Sequence, residues 1–406
     1  MRRIIGAAAL AALIGACYAL GVAQDAGRAE PRWWKGNTHT HTLWSDGNGA
    51  PELVADWYKS RGYDFLVLSD HNTLSVGERW FPIAEDDAQE GDRRLTRARV
   101  AELVERFGAD AVELREEPEP AMRLATLDEV RARFEEPGRF LMIQGEEITG
   151  PVHVNGINLS ERIAPEFDGS IAATTQEYLD RVKADGEAAG RPTAAHLNHP
   201  NYAWAVEPTD LLQLEGSFAF EVYNGHPSVN NAGDAEHAST EQMWDLALTL
   251  RLGALGRETV FGVATDDSHH YFREDPRAAT PGRGWIMVRA TELTADTITA
   301  AIANGDFYST TGVELEDVSV EDDVLALHIR TREGEEVTTE FLGTLSGSDG
   351  VDGVGDVLFT TSANPARYTF RGDELYVRAR VTSSLPLAVP DADGSPQRAW
   401  TQPVVP

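Results

Sequence analysis

Five short segments of the chain concentrate histidine and carboxylate side chains. They are residues 37–47 (NTHTHTLWSDG), 69–72 (SDHN), 145–153 (GEEITGPVH), 195–200 (AHLNHP) and 264–270 (ATDDSHH). Imidazole nitrogens and carboxylate oxygens are the atoms that bind zinc, manganese and iron in proteins. His39 and His41 are two residues apart, so at the end of a strand both rings point to one face and can share a cation. The segments therefore predict metal chemistry.

Each segment follows or ends an apolar run that has the pattern of a buried strand. The clearest runs are residues 64–68, 139–143, 152–159, 218–223 and 260–265. Helical patterns with caps separate them, beginning at Pro51, at Thr126 with its partner Glu129, and at Ser239 with its partner Gln242. This alternation over 33–309 predicts an α/β barrel, in which residues at the carboxyl ends of the strands meet at one mouth. A charged, helix-rich insertion is expected at about 83–125.

The pattern changes after residue 310. Strand-like alternation continues to the end of the printed sequence and helical signals vanish. Residues 310–406 are therefore predicted to form a small all-β domain that follows the barrel.

Convergence of the five segments would gather roughly nine nitrogen and oxygen ligands at the mouth of the barrel. A single cation takes four to six ligands, so the surplus predicts two or three metal ions that share carboxylates. Without cations, so many buried carboxylates would repel one another.

The composition excludes several classes of protein. The 406 residues are 42% hydrophobic and 25% charged, which is the balance of a globular protein. A formal net charge of −31 repels polyanions, so we expect a small-molecule substrate and no long nucleic-acid partner. Cys17 is the one cysteine, which excludes an intrachain disulfide and a cysteine-based zinc site. The oligomeric state is left open.

Residues 1–23 have the features of an export signal, with two arginines followed by an apolar run. The residues before Cys17 resemble a lipobox, which would make the protein a lipoprotein anchored through that cysteine. Cleavage near Ala23 and an uncleaved anchor are the alternatives. Each of these predicts an exported protein, with residues 24–32 as a linker.

The motifs His-x-His with Ser-Asp-Gly, Asp-His-Asn, Gly-x-Glu, His-Pro and Asp-x-His, in this order, resemble the polymerase-and-histidinol-phosphatase (PHP) superfamily. Several stretches, among them residues 221–227 (EVYNGHP) and 281–285 (PGRGW), resemble its carbaryl-hydrolase-like branch. The resemblance implies a distorted (β/α)7 TIM-like barrel and a metal-dependent hydrolase.

The resemblance also implies a ligand set and a cofactor of two or three divalent ions (Zn, Mn or Fe). The first metal would be held by His39, His41, Glu147 and Asp267, the second by Glu147, His153 and His199, and the third by Asp46, His71 and His269. His196 is the alternative to His199. Asp70 and Asp266, which precede ligands, are expected to accept hydrogen bonds from imidazoles.

A hydroxide bridging two metals would attack a phosphorus or carbonyl centre, with Asp267 as a catalytic candidate and a third metal or His269 assisting the leaving oxygen. Arg283 is a further candidate catalytic residue, since its guanidinium could meet an anionic group. A phosphoesterase is favoured, while ester or carbamate hydrolysis and nuclease action on short single strands stay open. The alternative from a different class is a non-catalytic, metal-stabilised binding protein.

Overall fold

The computed structural model describes residues 30–85, 95–167, 169–272, 275–347 and 352–406. The predicted signal at 1–23, Cys17 and residues 24–29 of the predicted linker lie outside this set. Among the residues that the structure describes, no helix is both long enough and apolar enough to cross a bilayer.

The described residues form seven α-helices and twenty β-strands. The helices are α1 (Pro51–Ser60), α2 (Arg97–Phe107), α3 (Leu127–Phe134), α4 (Ile171–Ala189), α5 (Pro208–Gln213), α6 (Thr240–Thr249) and α7 (Ala295–Asn304). The strands are β1 (Arg32–Asn37), β2 (Phe65–Leu68), β3 (Trp80–Ala84), β4 (Leu95–Thr96), β5 (Leu114–Arg115), β6 (Ala121–Arg123), β7 (Leu141–Thr149), β8 (His153–Ile157), β9 (Ala194–Leu197), β10 (Phe218–Asn224), β11 (Val260–Thr265), β12 (Trp285–Ala290), β13 (Phe307–Thr310), β14 (Glu314–Glu321), β15 (Val324–Arg330), β16 (Val337–Leu345), β17 (Asp356–Thr361), β18 (Ala366–Thr369), β19 (Glu374–Pro386) and β20 (Pro396–Thr401).

The predicted helix starts are confirmed. Pro51 is the first residue of α1, which buries Leu53, Val54, Trp57 and Tyr58 against the sheet. Both predicted capping boxes are present, at Thr126 before α3 and at Ser239 before α6, where each side chain accepts from the third helical residue. These helices fix the apolar face of the sheet and leave its carboxyl edge for polar residues.

One sheet of thirteen strands runs in the order β11-β10-β9-β8-β7-β2-β1-β12-β13-β20-β19-β16-β17. Strands β1, β2 and β7 pair in parallel, as do β9, β10 and β11. Strand β8 lies antiparallel between β7 and β9, so these two have the same direction. The carboxyl ends of six strands and the amino end of β8 therefore lie at one edge, as the alternation predicts.

Among the described residues, no strand pairing joins β11 to β1 or β12 and closes a ring. The junction is an isolated parallel bridge between Thr40 and Ser268, in which the His41 amide donates to the Ser268 carbonyl at 3.0 Å. The free edge of β11 is covered differently: the Gln402 side-chain amide accepts from Gly262 N and donates to Gly262 O, both at 2.9 Å. The structure is a mixed α/β fold, and the closed barrel stays a prediction.

Two segments have pairings that the sequence pattern did not indicate. The insertion predicted to be helix-rich contains α2, but β3, β4, β5 and β6 form a separate four-stranded sheet there. The β segment after 310 has strands and no helix among its described residues, and beyond β13 its strands β20, β19, β16 and β17 continue the large sheet. Only β14, β15 and β18 form a sheet of their own, because alternation identifies a strand but not its partner.

A buried ion pair connects the C-terminal strands to α6. Arg378 on β19 is fully buried and binds Asp245 through two nitrogens at 2.7 and 2.6 Å, and the Tyr376 hydroxyl donates to the same carboxylate at 2.8 Å. Removal of one partner leaves the other charge buried without compensation.

We expect Arg378→Ala to lower the free energy of unfolding by about 3–5 kcal/mol, because Asp245 loses its counter-ion. The control is Arg330→Ala, whose partners Glu314 and Glu316 are exposed and whose cost should stay below about 1 kcal/mol. Urea unfolding measures both values. Equal costs for the two variants would contradict the role given to Arg378.

Candidate metal centre

The edge described above brings all nine predicted ligands together. His39, His41 and Asp46 follow β1, His71 follows β2, Glu147 lies in β7, His153 begins β8, His199 follows β9, and Asp267 and His269 follow β11. Their ligand atoms form four overlapping groups, within each of which all ligand atoms lie within 4.8 Å of one another. We call them the Asp46 cluster (His41, Asp46, His71, His269), the Glu147 cluster (His39, His41, Glu147), the Asp267 cluster (His39, His199, Asp267) and the His153 cluster (His71, Glu147, His153).

The grouping differs in part from the one that the resemblance implies. The Asp46 cluster contains the three residues expected for the third metal, with His41 added. His199 groups with His39 and Asp267 rather than with His153. Both His153 Nδ1 and His199 Nε2 nevertheless reach Glu147 Oε1, at 2.9 and 3.2 Å. Glu147 thus lies between two sets of imidazoles.

Two ligand atoms test whether the site fits a cation. His39 Nε2 and His41 Nε2 are buried and form no hydrogen bond with a described residue. They lie 3.3 and 3.2 Å from Asp267 Oδ1, outside hydrogen-bonding geometry. Buried nitrogens that converge on a carboxylate in this way would be costly unless a positive ion satisfies them. The donor set, imidazole and carboxylate without sulfur, suits Zn, Mn or Fe.

Glu221 orients His39, and the sequence analysis missed it. Its Oε1 accepts from His39 Nδ1 at 2.6 Å, which leaves the lone pair of Nε2 directed at the clusters. Its Oε2 accepts from the His199 amide, also at 2.6 Å. The available signal was one carboxylate inside the apolar strand 218–224 (FAFEVYN), because a buried acid needs a partner.

The charges inside the site keep the carboxylates ionised. Burial alone would raise the pKa of Glu147, but the neighbouring His153, His39 and His71 hold it well below its usual value. Burial likewise opposes a low pKa for Glu221, which His39 brings down to about 2. The pKa of His41 falls to about 3, through burial and then through the positive charge of His269 and His71. Ionised carboxylates and a neutral imidazole are the forms that bind metals.

The chain turns sharply at two of the ligands. His199 has φ 26° and Asp267 has φ 48°, values in the left-handed region that non-glycine residues rarely adopt. Non-glycine residues in this region are concentrated at functional sites, where the surrounding structure holds them in place. Here Glu221 accepts from the His199 amide, and Asn224 Nδ2 donates to Asp267 Oδ2 at 3.2 Å.

His269 and His196 differ in their contacts: His269 belongs to a cluster and His196 does not. His269 Nδ1 donates to the backbone carbonyl of Asp267 at 2.9 Å, and His269 Nε2 lies 3.1 Å from Asp46 Oδ1. His196 belongs to none of the four clusters; its Nε2 lies 3.1 Å from the Thr38 hydroxyl, and burial is the main cause that lowers its pKa to about 4. Of the two alternatives His196 and His199, the clusters include His199.

Arg283 binds backbone carbonyls and belongs to none of the four clusters, and its catalytic role stays a prediction. Its guanidinium is buried and donates to five backbone carbonyls, at distances from 2.8 to 3.1 Å. These acceptors are Gly225, Ala278, Asp275, Pro276 and Pro390. Arg283 therefore holds the loops around the site together.

Asp70 and Asp266 also differ from the expectation, because neither accepts from an imidazole. Asp70 accepts from the Thr42 amide at 2.7 Å and from the Ser45 hydroxyl at 2.6 Å, and so orders the loop that carries Asp46. Asp266 accepts from the Tyr58 hydroxyl and from the backbone amides of Arg283 and Gly284, which directly precede β12. A carboxylate beside a ligand can therefore shape a loop as readily as it orients a ring.

No protein-family model matches this chain, and no curated protein matches it. One solved structure, from Bacteroides vulgatus, is described as a two-domain protein containing a predicted PHP-like metal-dependent phosphoesterase. It shares 17% sequence identity over 92% of this chain and 95% of its own, with a TM-score of 0.38. Both the identity and the TM-score are low, so this similarity does not assign a function to the chain.

Glu221→Gln should weaken metal binding about 10–100-fold, because His39 loses the carboxylate that fixes its ring. Competition with a chromogenic chelator measures the affinity. The control is Glu321→Gln, an exposed position on β14 outside the clusters, which should leave it unchanged. Affinities within twofold of wild type for Glu221→Gln would refute the orienting role.

Added manganese or zinc should stabilise the protein, because the ions bind a site that exists only in the folded chain. At a free concentration of about 100 times Kd, the expected gain in the free energy of unfolding is about 2.7 kcal/mol. The double variant His39→Ala/His41→Ala should lose this gain and its bound metal. If the variant kept both, the ligand assignment would be wrong.

Proposed function

We propose that this protein is a metal-dependent hydrolase, with phosphoester cleavage as the favoured reaction. The observation that carries the proposal is the sharing of ligands between clusters. His39, His41, His71 and Glu147 each belong to two of the four clusters. A structural metal site is closed and separate, whereas neighbouring ions with shared carboxylates are typical of hydrolytic centres.

The residues that would hold the ions are those of the four clusters. Bound there, divalent ions would supply Lewis acidity, making a water acidic and polarising the bond under attack. Glu221 keeps the proton of His39 on Nδ1, and Asn198 Nδ2 donates to Glu147 Oε1 at 2.8 Å, so neither ligand can rotate freely. His71 and His153 are partly exposed while Glu147 is fully buried, so a substrate would approach from their side.

The charge of the clusters favours an anionic substrate. They contain three carboxylates, Asp46, Glu147 and Asp267, against which two or three divalent ions would set four to six positive charges. The surplus would attract and stabilise a phosphoryl group, whose transition state carries negative charge on its oxygens. An ester or carbamate carbonyl would gain less from the same surplus, which places that reaction second.

The order of the motifs along the chain supports assignment to the PHP superfamily, and the carbaryl-hydrolase-like branch is the finer proposal. The superfamily assignment is supported because five motifs spread over 37–270 meet at one edge of a sheet. Export through residues 1–23 belongs to the same proposal, and its support is the basic start and apolar run of that segment.

The test is a substrate panel assayed on the purified protein with added manganese or zinc. We expect turnover of an aryl phosphomonoester or phosphodiester that a chelator abolishes, and a loss of at least about 100-fold in His39→Ala/His41→Ala. Preferred cleavage of an aryl carboxyl ester or carbamate would make the second reaction the correct one. Two or more bound ions without turnover of any substrate would favour the non-catalytic binding protein.

A further inference from the structure

A cleft of about 560 Å³ adjoins the metal centre where β10 ends beside β20. Asn224 and His226 line its near end. Asn224 Nδ2 donates to Asp267 Oδ2, and the ring of His226 lies 5.5 Å from that of His269. A cleft of this size holds a small organic group, so a substrate that reacts at the clusters can extend into it.

Arg398 and Trp400 also line the cleft. They are two residues apart on β20, so their side chains leave the same face of the strand. The guanidinium of Arg398 makes no ion pair or hydrogen bond with a described residue, and its Nε is buried. The chain has 66 acidic and 35 basic residues, so an arginine side chain without a carboxylate partner is unexpected.

Trp400 adds a second unsatisfied donor. Its side chain is 2% exposed, and Nε1 has no hydrogen-bond partner among the described residues. The nearby carboxylate is that of Glu241: burial opposes a low pKa for it, while Arg378, Arg380, Arg398 and then the Trp400 N–H lower it. Its oxygen is bound by Arg380 at 2.9 Å and lies 3.6 Å from Arg378, and Trp400 Nε1 is left without a well-aligned acceptor. A buried N–H without an acceptor is costly, which indicates that a ligand supplies one.

Two of the three acids that line the cleft, Glu241 and Asp391, are already bound by groups of the protein. Glu241 is held by its two arginines, and Asp391 Oδ1 accepts from the Ser395 amide at 2.9 Å. Both unsatisfied groups are donors, and one of them is a planar cation that matches carboxylate and phosphate oxygens.

We propose that this cleft binds an anionic oxygen group, a carboxylate or a phosphate, on the part of the substrate that is not cleaved. Arg398 and the Trp400 N–H donate to that group, while the scissile bond lies at the clusters. The inference rests on the proposed function for the reacting end of the substrate. It makes Arg398 a residue that determines substrate specificity, and it predicts a substrate with an acidic group at each end.

The binding test uses calorimetry on the full chain with three probes: benzoate, phenylphosphonate and neutral benzamide. Wild type should bind benzoate or phenylphosphonate but not benzamide, and the anion that depends on Arg398 identifies the group. Arg398→Ala should weaken that affinity at least about tenfold, the usual size of a charge-assisted hydrogen bond. Arg398→Lys keeps the charge but lacks the planar guanidinium, so its affinity should lie between those of wild type and Arg398→Ala.

The matched control is Arg367→Ala, an exposed arginine on β18 that changes the net charge by the same amount. It should bind as wild type does. Trp400→Phe keeps an aromatic ring and removes the donor, so it should lose several-fold in affinity. Melting temperatures equal to that of wild type would show that the variants are folded. An Arg398→Ala affinity within twofold of wild type would overturn the inference.

The kinetic test compares two diesters with the same p-nitrophenolate leaving group, one carrying a carboxylate on the other phenyl ring. Arg398→Ala should reduce the preference for the carboxylated diester, as a ratio of kcat/KM, by about tenfold. An unchanged ratio would count against the cleft. If wild type cleaves neither these diesters nor any phosphoester of the substrate panel, the proposed function fails, while the calorimetry still decides whether the cleft binds anions.

Discussion

The buried carboxylate of Glu147 is the group on which the metal centre depends. It is fully buried, and His39, His71, His153 and His199 come within 3.3 Å of its two oxygens. A charge in this position is stable only while positive partners surround it. The antiparallel strand β8 is needed for this, because its reversed direction brings His153 to the edge at which the neighbouring strands end. The hydrogen bonds of the polar residues around the site keep those partners in place.

The sequence predicted the composition of the site well because its ligands sit in short motifs that follow strands. Residues at the carboxyl ends of parallel strands must meet, so the motifs His-x-His and Asp-x-His indicated a common site before any geometry was known. Glu221 could not be found in this way, since a single acid within a strand forms no motif. The contacts of Arg283 could not be predicted for a related reason: the sequence does not reveal that five carbonyls converge on its side chain.

The C-terminal strands show a second limit of sequence patterns. Alternating hydrophobicity identified strands after residue 310, but it could not indicate that four of them extend the large sheet. That placement gives the C-terminal segment two functions in the molecule. Through Arg378 it is fastened to α6, and through Arg398 and Trp400 it forms a wall of the cleft beside the metal centre. The segment therefore contributes both to the large sheet and to the lining of the cleft.

The isolated bridge between Thr40 and Ser268 has a consequence for how the chain folds. Nearby, Asn37 donates to the carbonyl of Gly284, which is 247 residues further along. Closing a loop of that length costs about 5 kcal/mol of chain entropy, and contacts between distant residues form slowly. The junction should therefore be among the last contacts to form and the first to open. While it is open, the segment that carries Asp267 and His269 is not held against His39 and His41, so the complete set of ligands exists only in the folded chain.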